Sequence, residues 1–182
     1  FTSFSTVNNL LKKGILSETH EIVERVAYED ESPDSSMKVP TNIQLTTEQK
    51  KAASEIINDL NLKTFKTRLL SGVTGSGKTE VYFESVKAAL KAGQQILILL
   101  PEIALSAAWR NRFAKRFGTL PVEWHSDVSA AEKRRAWRFA LDGKLSVVVG
   151  ARSALFLPLK NLGLIIVDEE HEHAFKQEDQ VI

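Results

Sequence analysis

Eight residues, Gly72-Val73-Thr74-Gly75-Ser76-Gly77-Lys78-Thr79, limit what this chain can fold into more than any other stretch. They read as a glycine, four residues, then Gly-Lys-Thr, the pattern whose backbone N–H groups cradle phosphates. Such a loop works between a strand and a helix, and the flanks offer both. Residues 66–71 carry Leu69-Leu70 and have the length of a buried strand, while residues 80–90 place Val81, Val86, Ala89 and Leu90 toward a core at helical spacing. A strand passing into a helix through glycines aims several N–H groups and the positive helix end at one point. The glycines admit torsions and close approach that a Cβ would block, and Lys78 can reach the β- and γ-phosphates as a point charge. Thr79 offers a hydroxyl to Mg²⁺, and Glu80 follows it into the helix. The alternative is a Gly/Ser-rich turn that matches by chance, which average residue usage makes rare in a chain of 182 residues.

Downstream the chain alternates strand and helix. Residues 95–100 form a continuous apolar run, Ile96-Leu97-Ile98-Leu99-Leu100, of a length expected for a strand covered on both faces, and Pro101 ends it. Residues 102–117 set Leu105, Ala108, Trp109, Arg112 and Phe113 at helical spacing, which assigns Trp109 to the core. Arg110, Arg112, Lys115 and Arg116 read as a solvated face. Residues 121–125 make a short strand, and Ser129-x-x-Glu132 is a capping box that opens a helix through Leu141. That helix carries Lys133, Arg134, Arg135 and Arg138 beside Trp137, a face that either touches phosphates or is simply solvated. Residues 145–149 are strand-like and lead into Gly150-Ala151-Arg152-Ser153-Ala154. Residues 163–167 are the last apolar strand and deliver Asp168-Glu169-Glu170-His171 at its carboxyl end. The expected fold is α/β, a mainly parallel sheet with helices on both faces and ligands beyond the carboxyl ends of the strands.

Upstream of the loop, a helix beginning at Thr46 carries Ala52, Ala53, Ile56, Ile57 and Leu60 in one apolar stripe. Thr46-x-x-Gln49 reads either as a capping box or as the start of a site in which Gln49 pairs with an adenine edge, and the two roles can coexist. Residues 28–42 hold Glu29-Asp30-Glu31, Ser32-Pro33-Asp34-Ser35-Ser36 and Pro40, the composition of a solvated linker. Before it, Val7, Leu10 and Leu11 fit a short helix that Gly14 can end, and residues 15–26 read as extended. This pattern is either the end of a winged-helix unit or an unrelated helix and hairpin. Because the first residue is Phe1, the sequence reads as an excerpt of a longer protein. Net charge is +1, so attraction to nucleic acid must come from local patches. No cysteine is present, which excludes disulfides and thiolate metal sites in these residues. No apolar run approaches membrane-spanning length.

An aspartate delivered by an apolar strand suits a holder of Mg²⁺, directly or through water, and the glutamate after it suits the group that orients the water attacking a γ-phosphorus. By itself Asp168-Glu169-Glu170-His171 could be an acidic turn; beside a phosphate loop it becomes the second half of a site. His125, His171 and His173 could also be metal ligands, but the spacing is poor for zinc and Mg²⁺ prefers oxygen.

The phosphate loop through Glu80, Leu100-Pro101-Glu102-Ile103-Ala104-Leu105, His125-Ser126, the stretch 150–154 with Phe156-x-Pro158, and Asp168 to His171 followed by Lys176-Gln177 occur in one order. In that order they resemble the bacterial primosomal replication-restart helicases, the primosomal protein N′ family within the DEAH-type superfamily-two helicases. The resemblance covers residues 44–179. It implies a first RecA-like, ATP-binding motor lobe over 44–182, after a linker at 28–43 and the carboxyl-terminal part of a winged-helix DNA-binding domain at 1–27. By position, Gln49 would recognise adenine, Lys78 and Thr79 would hold phosphates and Mg²⁺, and Asp168 with Glu169 would serve metal and water. His171 would couple nucleotide state to the DNA path. Pro101, His125, Ser126, Arg152 and Ser153 would belong to strand-contacting motifs, with Phe175 and Lys176 in a DNA-sensing loop that here has few aromatics. The resemblance further implies forked or single-stranded DNA and primosome proteins as partners, a bacterial cytoplasmic location, and zinc only in a cysteine-rich segment outside this sequence. Two other readings differ in class, namely another P-loop phosphotransferase and a non-catalytic DNA-binding module.

Overall fold

Five consecutive buried residues, Gln95–Leu99 (β1), form an inner strand of the sheet. The computed structural model describes residues 44–62, 64–101 and 105–172. The expectations for 1–27, 28–43, Phe175 and Lys176 fall outside the described residues. On one side β1 pairs with Val147–Gly150 (β3), which in turn pairs with Val122–Trp124 (β2); on the other it pairs with Leu162–Val167 (β4). All pairings are parallel, and the strand order is β2-β3-β1-β4. Strands in parallel register require crossovers, and the helices supply them: Ala107–Phe117 (α3) joins β1 to β2, and Ala130–Asp142 (α4) joins β2 to β3. Before β1 come Thr47–Leu62 (α1) and Lys78–Lys91 (α2), and a 3₁₀ turn, Arg152–Phe156, follows β3.

The period-two alternation of β1 divides the core into two layers. Ile96, Ile98 and Leu100 pack with Val147 and Val149 against Tyr82, Phe83 and Val86 of α2 and Trp109, Phe113 and Phe117 of α3. Leu97, Leu99 and Val148 pack on the opposite face against Ala136 and Ala140 of α4, with Leu145, Ala154 and Leu157. Each of the buried Val, Leu and Ile side chains contributes about 1.5–3 kcal/mol through removal from water. Phe83 is the hub of the first layer, edge-on to Tyr82, Trp109, Phe113 and Phe117 with ring centroids 5.2–6.0 Å away.

Helix ends follow local chemistry. Ser106 caps α3 by accepting the Trp109 N–H, and Gly118 ends it in the left-handed conformation. Ser129 and Glu132 form the expected capping box on α4. The hydroxyl of Ser129, and then its backbone N–H, hold the Glu132 carboxyl below its usual range. Gln95 is buried within the first strand, donating to Leu145 O (2.8 Å) and accepting the Asn161 N–H (2.9 Å), so it ties the loops before β3 and β4 to the sheet.

Two sequence expectations are corrected. Residues 66–71 are not a strand: among the described residues they join no sheet, and Leu69 is 82% exposed. Their two cations instead engage α1, Lys66 on Asp59 (2.8 Å) and Arg68 on both Asp59 (2.6 Å) and Glu55 (3.2 Å). Arg116 does not belong to the solvated face. It lies seven residues after Trp109 and so on the same side of α3, where it is 3% exposed and paired with Glu84 of α2. Among the described residues no helix is long and apolar enough to cross a membrane.

Candidate active site

Because every strand runs the same way, all four carboxyl ends lie along one edge of the sheet. That edge receives Pro101 after β1, His125 after β2, Arg152 after β3 and Asp168 after β4. The Asp168 N–H donates to Leu99 O (3.0 Å), so the acidic segment leaves the sheet beside the end of its central strand.

The phosphate loop reaches the same edge through α2. Unlike α3 and α4, this helix has no side-chain cap: it starts at Gly77, whose φ of 84° and ψ of 23° are left-handed. The Glu80 N–H turns to Gly77 O (3.0 Å), while among the described residues the N–H groups of Lys78 and Thr79 have no acceptor, and a phosphate can take that place. At Gly77 a Cβ would also collide with Nε2 of Gln49. Lys78 folds back to donate to Gly72 O (2.7 Å), so its ammonium closes over the loop. Val73, Thr74, Gly75 and Ser76 form the exposed crest, turned by a Ser76 N–H to Val73 O bond (3.1 Å).

Gln49 performs the cap and more. Its Oε1 accepts the Thr46 N–H (2.9 Å) and the Thr46 hydroxyl accepts the Gln49 N–H (3.3 Å). Its Nε2 donates to Ser76 O (2.8 Å), which braces α1 against the phosphate loop. An amide has two N–H groups and two acceptor lone pairs, so one of each remains.

Tyr82 joins the two halves of the site. It lies one helical turn after Lys78, and its hydroxyl donates to Asp168 Oδ2 (3.0 Å) while accepting the Trp109 Nε1–H (2.9 Å). Thr79 stands three residues before Tyr82 on α2, on the same side of the helix. Burial first, then the adjacent Asp168 carboxylate, push the Tyr82 phenol well above its ordinary value, so it remains a donor. The bond brings α2 of the phosphate loop to the acidic end of β4. Thr79 and Asp168 thus offer a hydroxyl and a carboxylate on the two elements that this bond joins, the hard oxygen donors that Mg²⁺ takes. Glu80, which follows Thr79, has Oε1 3.9 Å from Arg112 and a buried Oε2 that has no hydrogen-bond partner among the described residues.

Glu169 is exposed and holds a positive φ of 52°, unusual for a residue with a Cβ. Its N–H donates to Asp168 Oδ1 (3.1 Å), and its Oε2 lies 3.6 Å from His171 Nε2. The remaining expected residues sit on the same edge but apart from this cluster. Pro101 is fully buried, stopping β1. His125 bonds Glu123 (2.9 Å), which also holds Arg110 (3.2 Å), and with Leu105, Arg110 and Asp127 it lines a cavity of about 170 Å³. Ser126, Arg152 and Ser153 are exposed. Gly150 has a steric reason: a Cβ there would collide with the Trp124 carbonyl, which accepts the Ala151 N–H (3.1 Å).

A family model described as DEAD/DEAH box helicase matches residues 46–182. The chain belongs to the DEAD/DEAH box helicase family. This DEAD/DEAH box chain is 43% identical over 178 residues to the replication restart protein PriA of Bacillus subtilis (strain 168), covering 98% of the chain and 22% of that relative. It is 52% identical over 139 residues to the PriA of Rickettsia typhi (strain ATCC VR-144 / Wilmington), covering 76% and 21%. To the PriA of Chlamydia pneumoniae it is 43% identical over 175 residues, covering 96% and 23%. The chain thus spans about a fifth of the length of the curated relatives it matches. The sheet is the α/β, RecA-like lobe of this helicase family. Tyr82 was not among the residues marked in the sequence, although a hydroxyl four residues after the loop lysine, on the same helix face, is a readable signal.

Proposed function

We propose that this chain is the ATP-binding motor lobe of a DNA helicase that restarts replication at stalled or repaired forks, coupling Mg-ATP hydrolysis to movement on DNA. The observation that carries the reading is the Tyr82–Asp168 hydrogen bond, which holds the lysine-bearing helix and the acidic end of β4 together. The replication role rests on the names of the relatives.

In this reading the uncapped start of α2 and Lys78 bind the phosphates, and the free donor and acceptor of Gln49 meet the adenine edge. Thr79 and Asp168 hold Mg²⁺, which when bound neutralises phosphate charge. Glu169 orients the attacking water and accepts its proton, and its contact with His171 passes the nucleotide state toward the DNA path. His125, Ser126, Arg152 and Ser153 form the strand-contacting rim, with Pro101 shaping the turn behind it and Phe175 and Lys176 in a DNA-sensing loop. Residues 44–182 are the lobe, 28–43 a linker and 1–27 the end of a winged-helix domain. Primosome proteins are the partners, zinc belongs to other parts of the protein, and the bacterial cytoplasm is the location. The arginine finger comes from a second lobe, so the isolated chain turns over slowly.

The test is the ATPase rate of the full-length protein with and without forked DNA. Wild type should be stimulated by DNA, Lys78→Ala should lose nucleotide binding, and Glu169→Gln should bind nucleotide but lose hydrolysis. A normal rate in Glu169→Gln removes that residue from the chemistry.

A further inference from the structure

The chain Trp109, Tyr82, Asp168 has a fixed direction. An indole N–H can only donate, so at 2.9 Å it occupies a lone pair of the Tyr82 oxygen. The single phenol proton is then committed to Asp168 Oδ2, at 3.0 Å. Asp168 Oδ1 takes the Glu169 N–H, so each carboxylate oxygen accepts one fixed donor and the group cannot swing. Tyr82 and Trp109 are 5% and 8% exposed and packed in the aromatic core, so the donors are themselves held in place. Trp109 belongs to α3, which follows the loop after β1, whereas Asp168 follows β4. The two segments are joined by a relay through the phosphate-loop helix.

We infer that Tyr82 is a positioning residue for the metal-holding carboxylate of Asp168, and that Trp109 sets Tyr82, making α3 part of the apparatus that fixes divalent-cation affinity. This rests on the assignment of Asp168 to the metal proposed above. A packing role alone would need the ring and not the hydroxyl.

The experiment measures binding of a fluorescent ATP analogue to the full-length protein across Mn²⁺ concentrations and in EDTA. Tyr82→Phe keeps the ring; it should leave the metal-free affinity within about twofold and raise the half-saturating Mn²⁺ concentration about tenfold, the lower end of what loss of an outer-shell partner costs. Asp168→Asn tests the underlying assignment separately: an unchanged Mn²⁺ response in that variant overturns it. A weakened response in Asp168→Asn with an unchanged one in Tyr82→Phe overturns the positioning role alone. In the Asp168→Asn background, Tyr82→Phe should add less than about twofold, and full additivity would show that Tyr82 acts elsewhere. Trp109→Phe retains a ring in the core and removes the donor. It should shift the Mn²⁺ response in the same direction by about threefold, a smaller factor than loss of the direct partner. It also supplies the reading if Tyr82→Phe fails to fold, and an unchanged response there overturns the relay.

Discussion

Replacing Gln49 separates what it does for the fold from what it does for nucleotide. Alanine removes the bond from Thr46 N–H (2.9 Å) and the bond to Ser76 O (2.8 Å). A lost cap costs about 1 kcal/mol and a lost neutral hydrogen bond about 1 kcal/mol, so the variant should be less stable by about 2 kcal/mol. For a chain of this size that is a fall in Tm of about 4–8 °C. Glutamate restores the cap acceptor but not the donor to Ser76, so Gln49→Glu should lose about half as much. The amide's unused N–H and lone pair match the acceptor and donor of the adenine edge, a bidentate pairing that discriminates bases by about 1–3 kcal/mol. Both variants should therefore lower the ATP-to-GTP affinity ratio by about fivefold or more, a change read by nucleotide titration beside thermal melting. Unchanged melting would refute the cap and brace. A drop in stability with an unaltered ATP-to-GTP ratio would refute adenine recognition.

Other perturbations reach different parts of the account. Glu84→Gln removes the charge opposite a guanidinium that is 3% exposed and should cost about 3 kcal/mol in chemical denaturation, against no measurable change if the pair were solvated. Gly150→Ala forces a Cβ into the Trp124 carbonyl and should destabilise by about 1–3 kcal/mol; wild-type stability would show that the β2–β3 edge yields easily. Hydrogen bonds from Arg68, then Lys66, lower the Asp59 carboxyl from 3.8 to about 2. Its contribution is therefore fully present above about pH 4 and is lost as pH falls through about 2. Asp59→Asn should flatten that part of the acid limb of the Tm–pH profile, and an identical limb would refute the pairing.

Residues with strong local periodicity were legible in the sequence. Ile96 to Leu100 had no polar interruption, and Ser129 with Glu132 announced its helix through side-chain chemistry acting within four residues. The helix that opens after Gly77 was legible for the same reason, since the glycine turn and the residues behind it answer local needs. What depended on distant partners was not. Leu69-Leu70 looked like a strand because apolar run length cannot reveal whether a neighbouring strand exists or whether Lys66 and Arg68 find acids on α1. Arg116 looked solvated because guanidinium is usually exposed, and the acid that meets it, Glu84, lies on another helix, 32 residues away in the sequence. Tyr82 went unmarked because its importance lies in Asp168, 86 residues away.

The central claim is that Thr79 and Asp168 share one magnesium nucleotide. The most direct test is a crystal structure grown with Mg²⁺ and a non-hydrolysable ATP analogue. The account predicts phosphates against the N–H groups at the start of α2 and Mg²⁺ between Thr79 and Asp168, directly or through water. Nucleotide bound away from that edge of the sheet, or Mg²⁺ held without either residue, would contradict it.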